Sequence, residues 1–364
     1  MVTTQIDAEP VDMKTDKYLI RFFQVGNGSK GGDAILIRLF DDNDGEHLAL
    51  IDGGYKETGE RIVNYIKTEC STLHIDAVFN THPDRDHISG LVKVLEDDDI
   101  TVGFIVMNRP WKDAKFTKKM FDDKRITDNS LIKRLKDAFE TAEKIEELAK
   151  EKEIQIYSGF AGDNWNDIIT ILGPSENLYK KGLLGSDKTP ESYIESGLDD
   201  YTPTKYKEED YVKGRVIEWY DEEVTSAVNQ TSLVLYLVIG DLYVLLTGDA
   251  GKVALNQALD FYESKGGSAK DYDIVQLPHH GSRKNIDPEI IKRFNNPEYI
   301  ISCPPDGESE GHPSRRLINK ILEIKPNARI FMTKKSNFVF KENVEVKNLT
   351  TQSPATSSSR MDGK

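Results

Sequence analysis

Residues 82–87 read His82-Pro83-Asp84-Arg85-Asp86-His87. Two imidazoles and two carboxylates in one short stretch repel unless something positive sits among them. A divalent cation suits that set of donors. The competing reading is a solvated turn. The stretch follows an apolar run, 75–81, that reads as a strand. Two later segments have the same character. Leu245-Leu246-Thr247-Gly248-Asp249 closes a hairpin of two apolar runs, 232–239 and 242–246, joined at Gly240-Asp241. Ile274-Val275-Gln276-Leu277 runs into Pro278-His279-His280-Gly281-Ser282. Each is an apolar strand delivering Asp or His at its end, and strand ends are where layered α/β proteins assemble sites. Asp52-Gly53-Gly54 ends a further strand. Its glycines permit a tight turn, and its carboxylate can orient a ligand histidine through the second ring nitrogen.

The elements that must position these residues are legible from hydrophobic period and turn chemistry. Residues 1–16 read as a disordered lead. Strands are expected at 18–25, 33–40 and 47–51, then a helix at 57–70 and the strand that delivers His82. A helix at 89–96 and a strand at 100–107 follow. Leu131, Leu135, Ala138, Ala142, Ile145 and Ala149 recur at helical spacing, so 129–150 reads as one helix capped by Asp128 or Asn129. Short strands are expected at 154–157 and 168–172. Residues 175–228 are polar, acidic and poor in periodicity, as in a long surface insertion or lid. Beyond the hairpin the order is helix 252–264, strand 274–277, helix 288–294, strand 299–303, helix 314–324 and strand 329–332. Residues 344–364 read as a disordered tail. Two strand-and-helix halves that share one edge predict an α/β protein, a four-layer α-β-β-α sandwich. Its domain spans 17–343 and carries helical and acidic-loop insertions at about 108–153 and 175–228.

Composition narrows the function classes. The chain has 364 residues, 38% hydrophobic and 30% charged, as in a soluble globular protein. No apolar run approaches the roughly 20 residues that span a bilayer, and residues 1–16 lack the apolar core of a secretory signal. Cys70 and Cys303 lie among apolar residues and read as buried thiols, which fits a reducing cytoplasm. A net charge of −14 argues against broad nucleic-acid binding. It does not exclude an anionic substrate where bound cations invert the local field. Residues 112–136 carry nine basic and four acidic side chains, and 176–223 carry seven and thirteen. Such runs suit solvated faces, and the second could also recruit a protein partner.

The order of these motifs resembles the metallo-β-lactamase fold superfamily. The usual His-x-His-x-Asp-His appears here with Asp84 in place of the middle histidine. Together with Val25-Gly26, Gly32-Asp33, Asn229-Gln230-Thr231-Ser232 and Gly311-His312-Pro313, that variant is similar to the hydrolase domain of bacterial competence DNA-uptake channel proteins. It is similar more loosely to phosphorylcholine esterases. The resemblance covers about 17–335, with 108–153 and 175–228 outside it. It implies two divalent metal ions, zinc or manganese, with magnesium also open. His82 and Asp84 would hold the first, Asp86 and His87 the second. Asp249 would bridge them, and His280 would complete the second site. His279 would then support the ligands or donate a proton, and the two histidines could exchange roles. A histidine that the superfamily usually supplies before the hairpin is missing; its place falls near Asn229. An oxygen-rich first site favours manganese or magnesium there.

These expectations converge on a metal-dependent hydrolase, a phosphodiesterase or nuclease acting on a nucleic acid or nucleotide. A metal-activated water would attack phosphorus. Asp86, His279 and His312 would be catalytic, with His279 or His312 protonating the leaving oxygen. Ser282, Arg283 and Asn229 would hold substrate; Ser282 could instead cap a helix. The uptake channels span a membrane and the sequence shows no such segment, so the channel itself is not expected. Two alternatives compete. One is a phosphorylcholine-type or other ester hydrolase, with aromatics of the insertion around a quaternary ammonium. The other is a non-catalytic metal-binding module that recruits a partner through 175–228.

Overall fold

The computed structural model describes residues 16–28, 30–191, 225–305, 312–334 and 336–344. Strands β1 (Tyr18–Phe22), β2 (Ile35–Phe40), β3 (Glu46–Ile51), β4 (His74–Phe79), β5 (Thr101–Val106) and β6 (Gln155–Tyr157) lie side by side in that order. Strands β7 (Asn164–Trp165), β8 (Ile169–Gly173), β9 (Val234–Ile239), β10 (Leu242–Leu246), β11 (Ile274–Gln276), β12 (Glu298–Ile301) and β13 (Arg329–Met332) form a second sheet. Strand β14 (Phe338–Glu342) returns to the first sheet and pairs antiparallel with β1. Helices follow the chain as α1 (Lys56–Glu69), α2 (Arg85–Glu96), α3 (Pro110–Asp113), α4 (Asp128–Ala138), α5 (Glu140–Glu151), α6 (Glu176–Leu184) and α7 (Lys252–Ser264). A single turn α8 (Pro278–Gly281), then α9 (Pro288–Arg293) and α10 (Arg315–Ile324), complete the order.

Strand alternation sets the layers. In β2, Ile35, Ile37 and Leu39 enter the core between the sheets, where they meet Phe79, Trp165, Leu235 and Val244. Leu36 faces the other way, into a core shared with Ile62 and Ile66 of α1, Leu91 of α2 and Ile145 of α5. Leu245 and Val275 face outward onto Leu255 and Leu259 of α7, Ile290 of α9 and Ile318 of α10. The result is the expected four layers, α-β-β-α, built from two mixed sheets.

Parallel pairing explains why the chemistry gathers at one edge. Strands β3 and β4 run parallel with Ile51 beside Phe79, and β10 and β11 run parallel with Leu245 beside Val275. Parallel neighbours end on the same side. The turns after Ile51, Phe79, Leu246 and Gln276 therefore open together.

Several expectations need correction. Helix α2 starts at Arg85, not Ser89, so Asp86 and His87 ride its first turn. The expected helix at 129–150 is two helices broken at Phe139 (φ −121°, ψ 45°), whose ring is buried. Its cap is Thr127, in a reciprocal box with Ser130, not Asp128 or Asn129. The part of the acidic insertion that is described is not irregular. Ser175 caps α6 by accepting from Leu178 N–H, and α6 buries Leu178, Tyr179 and Leu183. Strands β7 and β14 were not foreseen, being short and edge-placed respectively. The lead at 1–15, the tail at 345–364 and most of the lid reading at 192–224 lie outside the described residues. Among the described residues no helix is long and apolar enough to cross a membrane.

Candidate metal centre

The chain reaches the site through a strained turn. His279 (φ 48°), His280 (φ 55°) and Gly281 (φ 80°) are consecutive left-handed residues. Such backbone is uncommon for a non-glycine residue and persists only where the surroundings hold it. Here the His279 amide donates to the Gly248 carbonyl at 3.0 Å, and the Ser314 amide donates to the Gly281 carbonyl at 2.9 Å. The turn aims two adjacent imidazoles at Asp249, which extends from the neighbouring strand end.

Asp249 is buried, and its two oxygens face different histidines. Oδ2 lies 3.6 Å from His82 Nε2 and 3.5 Å from His279 Nε2. Oδ1 lies 3.3 Å from His87 Nε2 and 3.9 Å from His280 Nε2. Asp84 Oδ2 is 3.6 Å from His82 Nε2, on the first side. Asp86 Oδ2 is 3.3 Å from His280 Nε2 and 3.8 Å from His87 Nε2, on the second. All six expected ligands, His82, Asp84, Asp86, His87, Asp249 and His280, thus converge.

A second ring of groups fixes each imidazole so that its Nε2 faces inward. His87 Nδ1 donates to Asp52 Oδ2 at 2.7 Å. His280 Nδ1 donates to the Ser302 carbonyl at 3.0 Å. His82 Nδ1 donates to Thr81 Oγ1 at 3.1 Å, and that hydroxyl donates to Asp52 Oδ2 at 2.5 Å. Asn285 Nδ2 donates to the Asp249 carbonyl at 2.8 Å, which leaves its Oδ1 to accept from His279 Nδ1 at 3.1 Å. Asp52, itself left-handed (φ 54°), is held by the Asn80 amide at 2.9 Å and the Thr81 amide at 2.8 Å. This is the orienting role its sequence position suggests.

The donors fit a metal. His82 Nε2, His87 Nε2 and Asp249 Oδ1 are buried with no hydrogen-bond partner. Orphaned buried polar atoms are costly unless something satisfies them. Among the described residues, His82–His87–Asp249 and Asp86–His87–His280 bring their ligand atoms within 4.8 Å of one another. Without a cation the site charges itself. Burial opposes protonation of His87, but Asp249, Asp86 and Asp52 outweigh it and hold its pKa well above the ordinary value. Burial likewise opposes protonation of His280, yet Asp249 and Asp86 raise its pKa to about 9. Burial opposes ionisation of Asp249, but His279, His87, His280 and His82 keep it well below the usual carboxylate range. Asp86 is depressed to about 2, against burial, by His87 and His280. For His82, burial and the His87 charge win and lower it.

The remaining expected residues are placed less directly. His312 packs against His279, with ring centroids 4.9 Å apart and the planes tilted by 36°. Burial, then His279 and His280, push its pKa well down. Asn229 is not open to substrate. It is buried behind His279, its Nδ2 donating to Thr225 Oγ1 at 2.9 Å and lying 3.2 Å from His279 Nδ1. Ser282 is also buried, and its hydroxyl accepts from the Lys284 amide at 3.3 Å, so it stabilises its own turn. Arg283 is half-buried beside it. Sequence reasoning gave no site role to four contributors. Asp33, whose Oδ2 accepts from Gln276 Nε2 at 2.9 Å, lies 3.8 Å from His87 Nδ1 and 3.9 Å from His280 Nδ1. Its signals were a place in the Gly32-Asp33 motif and at the mouth of an apolar strand, neither of which gave it a role. Thr81 and Asn285 gave no signal. Lys188, 3.1 Å from Asp84 Oδ1, comes from the acidic insertion.

Residues 28–143 match the family model of the metallo-beta-lactamase superfamily. The match takes in 108–143, which the sequence resemblance had left outside, and it ends before Asp249. The two mixed sheets flanked by helices are consistent with the sandwich fold of that superfamily. No curated protein matches the chain. The long form of RNase Z from yeast is 10% identical, with a TM-score of 0.36 over 79% of this chain and 37% of that one. Rm3 metallo-beta-lactamase is 11% identical, with a TM-score of 0.31 over 70% of this chain and 76% of that one. The hydrolase AbOPH, of the beta lactamase superfamily, is 12% identical, with a TM-score of 0.34 over 72% of this chain and 87% of that one. Likeness at this level carries no information on activity.

Proposed function

We propose that the chain is a metal-dependent phosphodiesterase that cleaves a nucleic acid or nucleotide. The observation that carries this reading is the division of Asp249, with one oxygen facing His82 and His279 and the other facing His87 and His280. A carboxylate flanked in this way suits two divalent cations. His82, Asp84 and His279 would hold the first, and Asp86, His87 and His280 the second. His279 then supplies the nitrogen that the sequence lacks near Asn229, and Asn285 locks its ring for the task. Two nitrogens and two carboxylates on each side return the first site toward zinc or manganese and away from magnesium. Bound there, the cations would supply Lewis acidity and lower the pKa of a water.

The chain's own groups do the rest. Asp52, Thr81, Asn285 and the Ser302 carbonyl keep the imidazoles aimed. His312, neutral at ordinary pH, offers an N–H hydrogen bond to a leaving oxygen and not a full proton. Acidic overall charge favours a small or single-stranded substrate over duplex DNA. The DNA or nucleotide reading leans on the sequence resemblance to competence-type hydrolase domains.

The test is hydrolysis of bis-p-nitrophenyl phosphate by metal-stripped protein restored in turn with Mn²⁺, Zn²⁺ and Mg²⁺, with Asp86→Ala alongside. Metal-dependent turnover that the variant lacks supports the reading. Stoichiometric metal binding with no turnover under any metal would sink it, and would favour carboxylic esters or a binding role.

A further inference from the structure

Two segments, 115–122 and 176–191, touch each other beside the site. The Asp122 amide donates to the Glu191 carbonyl at 3.0 Å, and Lys115 Nζ pairs with Glu176 Oε2 at 2.7 Å. Arg85, inside the ligand turn, pairs with Glu140 of α5 at 2.9 Å. Where the segments meet, Lys188 lies with Nζ 4.7 Å from the centroid of the Phe139 ring and 3.1 Å from Asp84 Oδ1. Phe139 is the residue at which α4 and α5 break, so the break itself presents the ring that supports the lysine.

Lys188 is only partly covered, with 32% of its side chain exposed against 33% for Asp84. An ion pair with a third of each partner exposed contributes little to stability, so stability is a poor reason for an ammonium here. Asp33, Asp52, Asp84, Asp86 and Asp249 lie in or behind the centre together with His82, His87, His279 and His280, and Lys188 adds a fixed positive charge at its partly exposed edge. A cation at that edge draws an incoming anion toward the site. An ammonium has three donors, and Asp84 takes one.

We propose that Lys188 is a substrate-binding residue of the first site, its ammonium taking a non-bridging oxygen of the phosphoryl group. This rests on the phosphodiesterase reading above, and it makes the turn after α6 part of the substrate cleft. The test compares the metal-loaded wild type with Lys188→Met and Lys188→Arg. Inorganic phosphate is titrated calorimetrically, metal content is measured directly, and KM and kcat are taken on bis-p-nitrophenyl phosphate. Lys188→Met should weaken phosphate binding about 10-fold or more, as expected for loss of a charge-assisted contact. It should raise KM more than it lowers kcat, at unchanged metal content, and Lys188→Arg should recover most of the binding. Phosphate affinity within twofold of wild type would overturn the proposal. So would a parallel fall in metal content, which would make Lys188 a positioning residue for Asp84, or a wild type that binds no phosphate. A wild type that binds phosphate through Lys188 but cleaves no phosphodiester would overturn only the phosphodiesterase reading.

Discussion

At the scale of single residues, the centre depends on which nitrogen of each histidine is free. Asp52 governs two of them, His87 directly and His82 through Thr81. Asp52→Asn keeps the shape but removes the acceptor charge. It should weaken metal binding about 10–100-fold, the usual cost of losing a group that orients a ligand histidine. Competition with a fluorescent chelator reads this directly, and an unchanged affinity would show that Asp52 is only a turn residue. The pH response follows from His280, whose pKa of about 9 in the folded, metal-free protein stands above the roughly 6.5 of an unfolded chain. A raised pKa stabilises the fold in full below about 6.5, and that contribution is lost as pH rises through about 9. Metal-free protein should therefore lose Tm between pH 7 and 9.5. Metal affinity should rise over the same window, because binding displaces the His280 proton. A flat Tm profile would contradict this. Of these residues, the candidate ligands were legible in sequence because Asp and His at strand ends are chemically unusual. His279 was harder to assign, since its aim is set by two left-handed residues and by Asn285, neither of which leaves a mark in residue type. Asn229 and Ser282 misled because a polar side chain near a site reads the same whether it faces substrate or supports a neighbour.

At the scale of elements, α2 is positioned by backbone against backbone. The Gly90 amide donates to the Gly54 carbonyl at 2.8 Å, and the Gly53 amide donates to the His87 carbonyl at 2.7 Å. A Cβ on Gly90 would stand 1.9 Å from the Gly53 carbonyl oxygen. Gly90→Ala must push α2 away, and with it Asp86 and His87. A loss of about 1–3 kcal/mol in denaturant unfolding is expected, with reduced metal content. Wild-type stability in that variant would mean that the contact is slack. Thr127→Ala is the contrasting case. It removes a helix cap far from the ligands, and should cost about 1 kcal/mol with metal content intact. Most element types and their order were legible because the longer helices and strands have a clean apolar period. The break at Phe139 was not, since the period of Leu131, Leu135, Ala142 and Ile145 continues across it. Strand β14 was missed because its side chains are only half-covered at a sheet edge.

At the scale of the whole molecule, each sheet supplies half of the centre. The first sends His82, Asp84, Asp86 and His87, and the second sends Asp249, His279 and His280. Bound cations would therefore clamp the two sheets together. Chelation should lower Tm, and restoring metal to about 100 times its Kd should return about 2.7 kcal/mol. Equal Tm with and without metal would show that the sheets hold the site open unaided. The pairing of β14 with β1 has a different kind of consequence. Tyr18 lies opposite Glu342, and Asn343 reaches Asp16 at 3.1 Å, so the start and finish of the described domain are neighbours. A short flexible linker between them would close the chain into a ring, and the ring could be reopened at a surface turn such as Asp41–Gly45. Such a circular permutant would keep every strand partner of the native molecule while changing the order in which they are made.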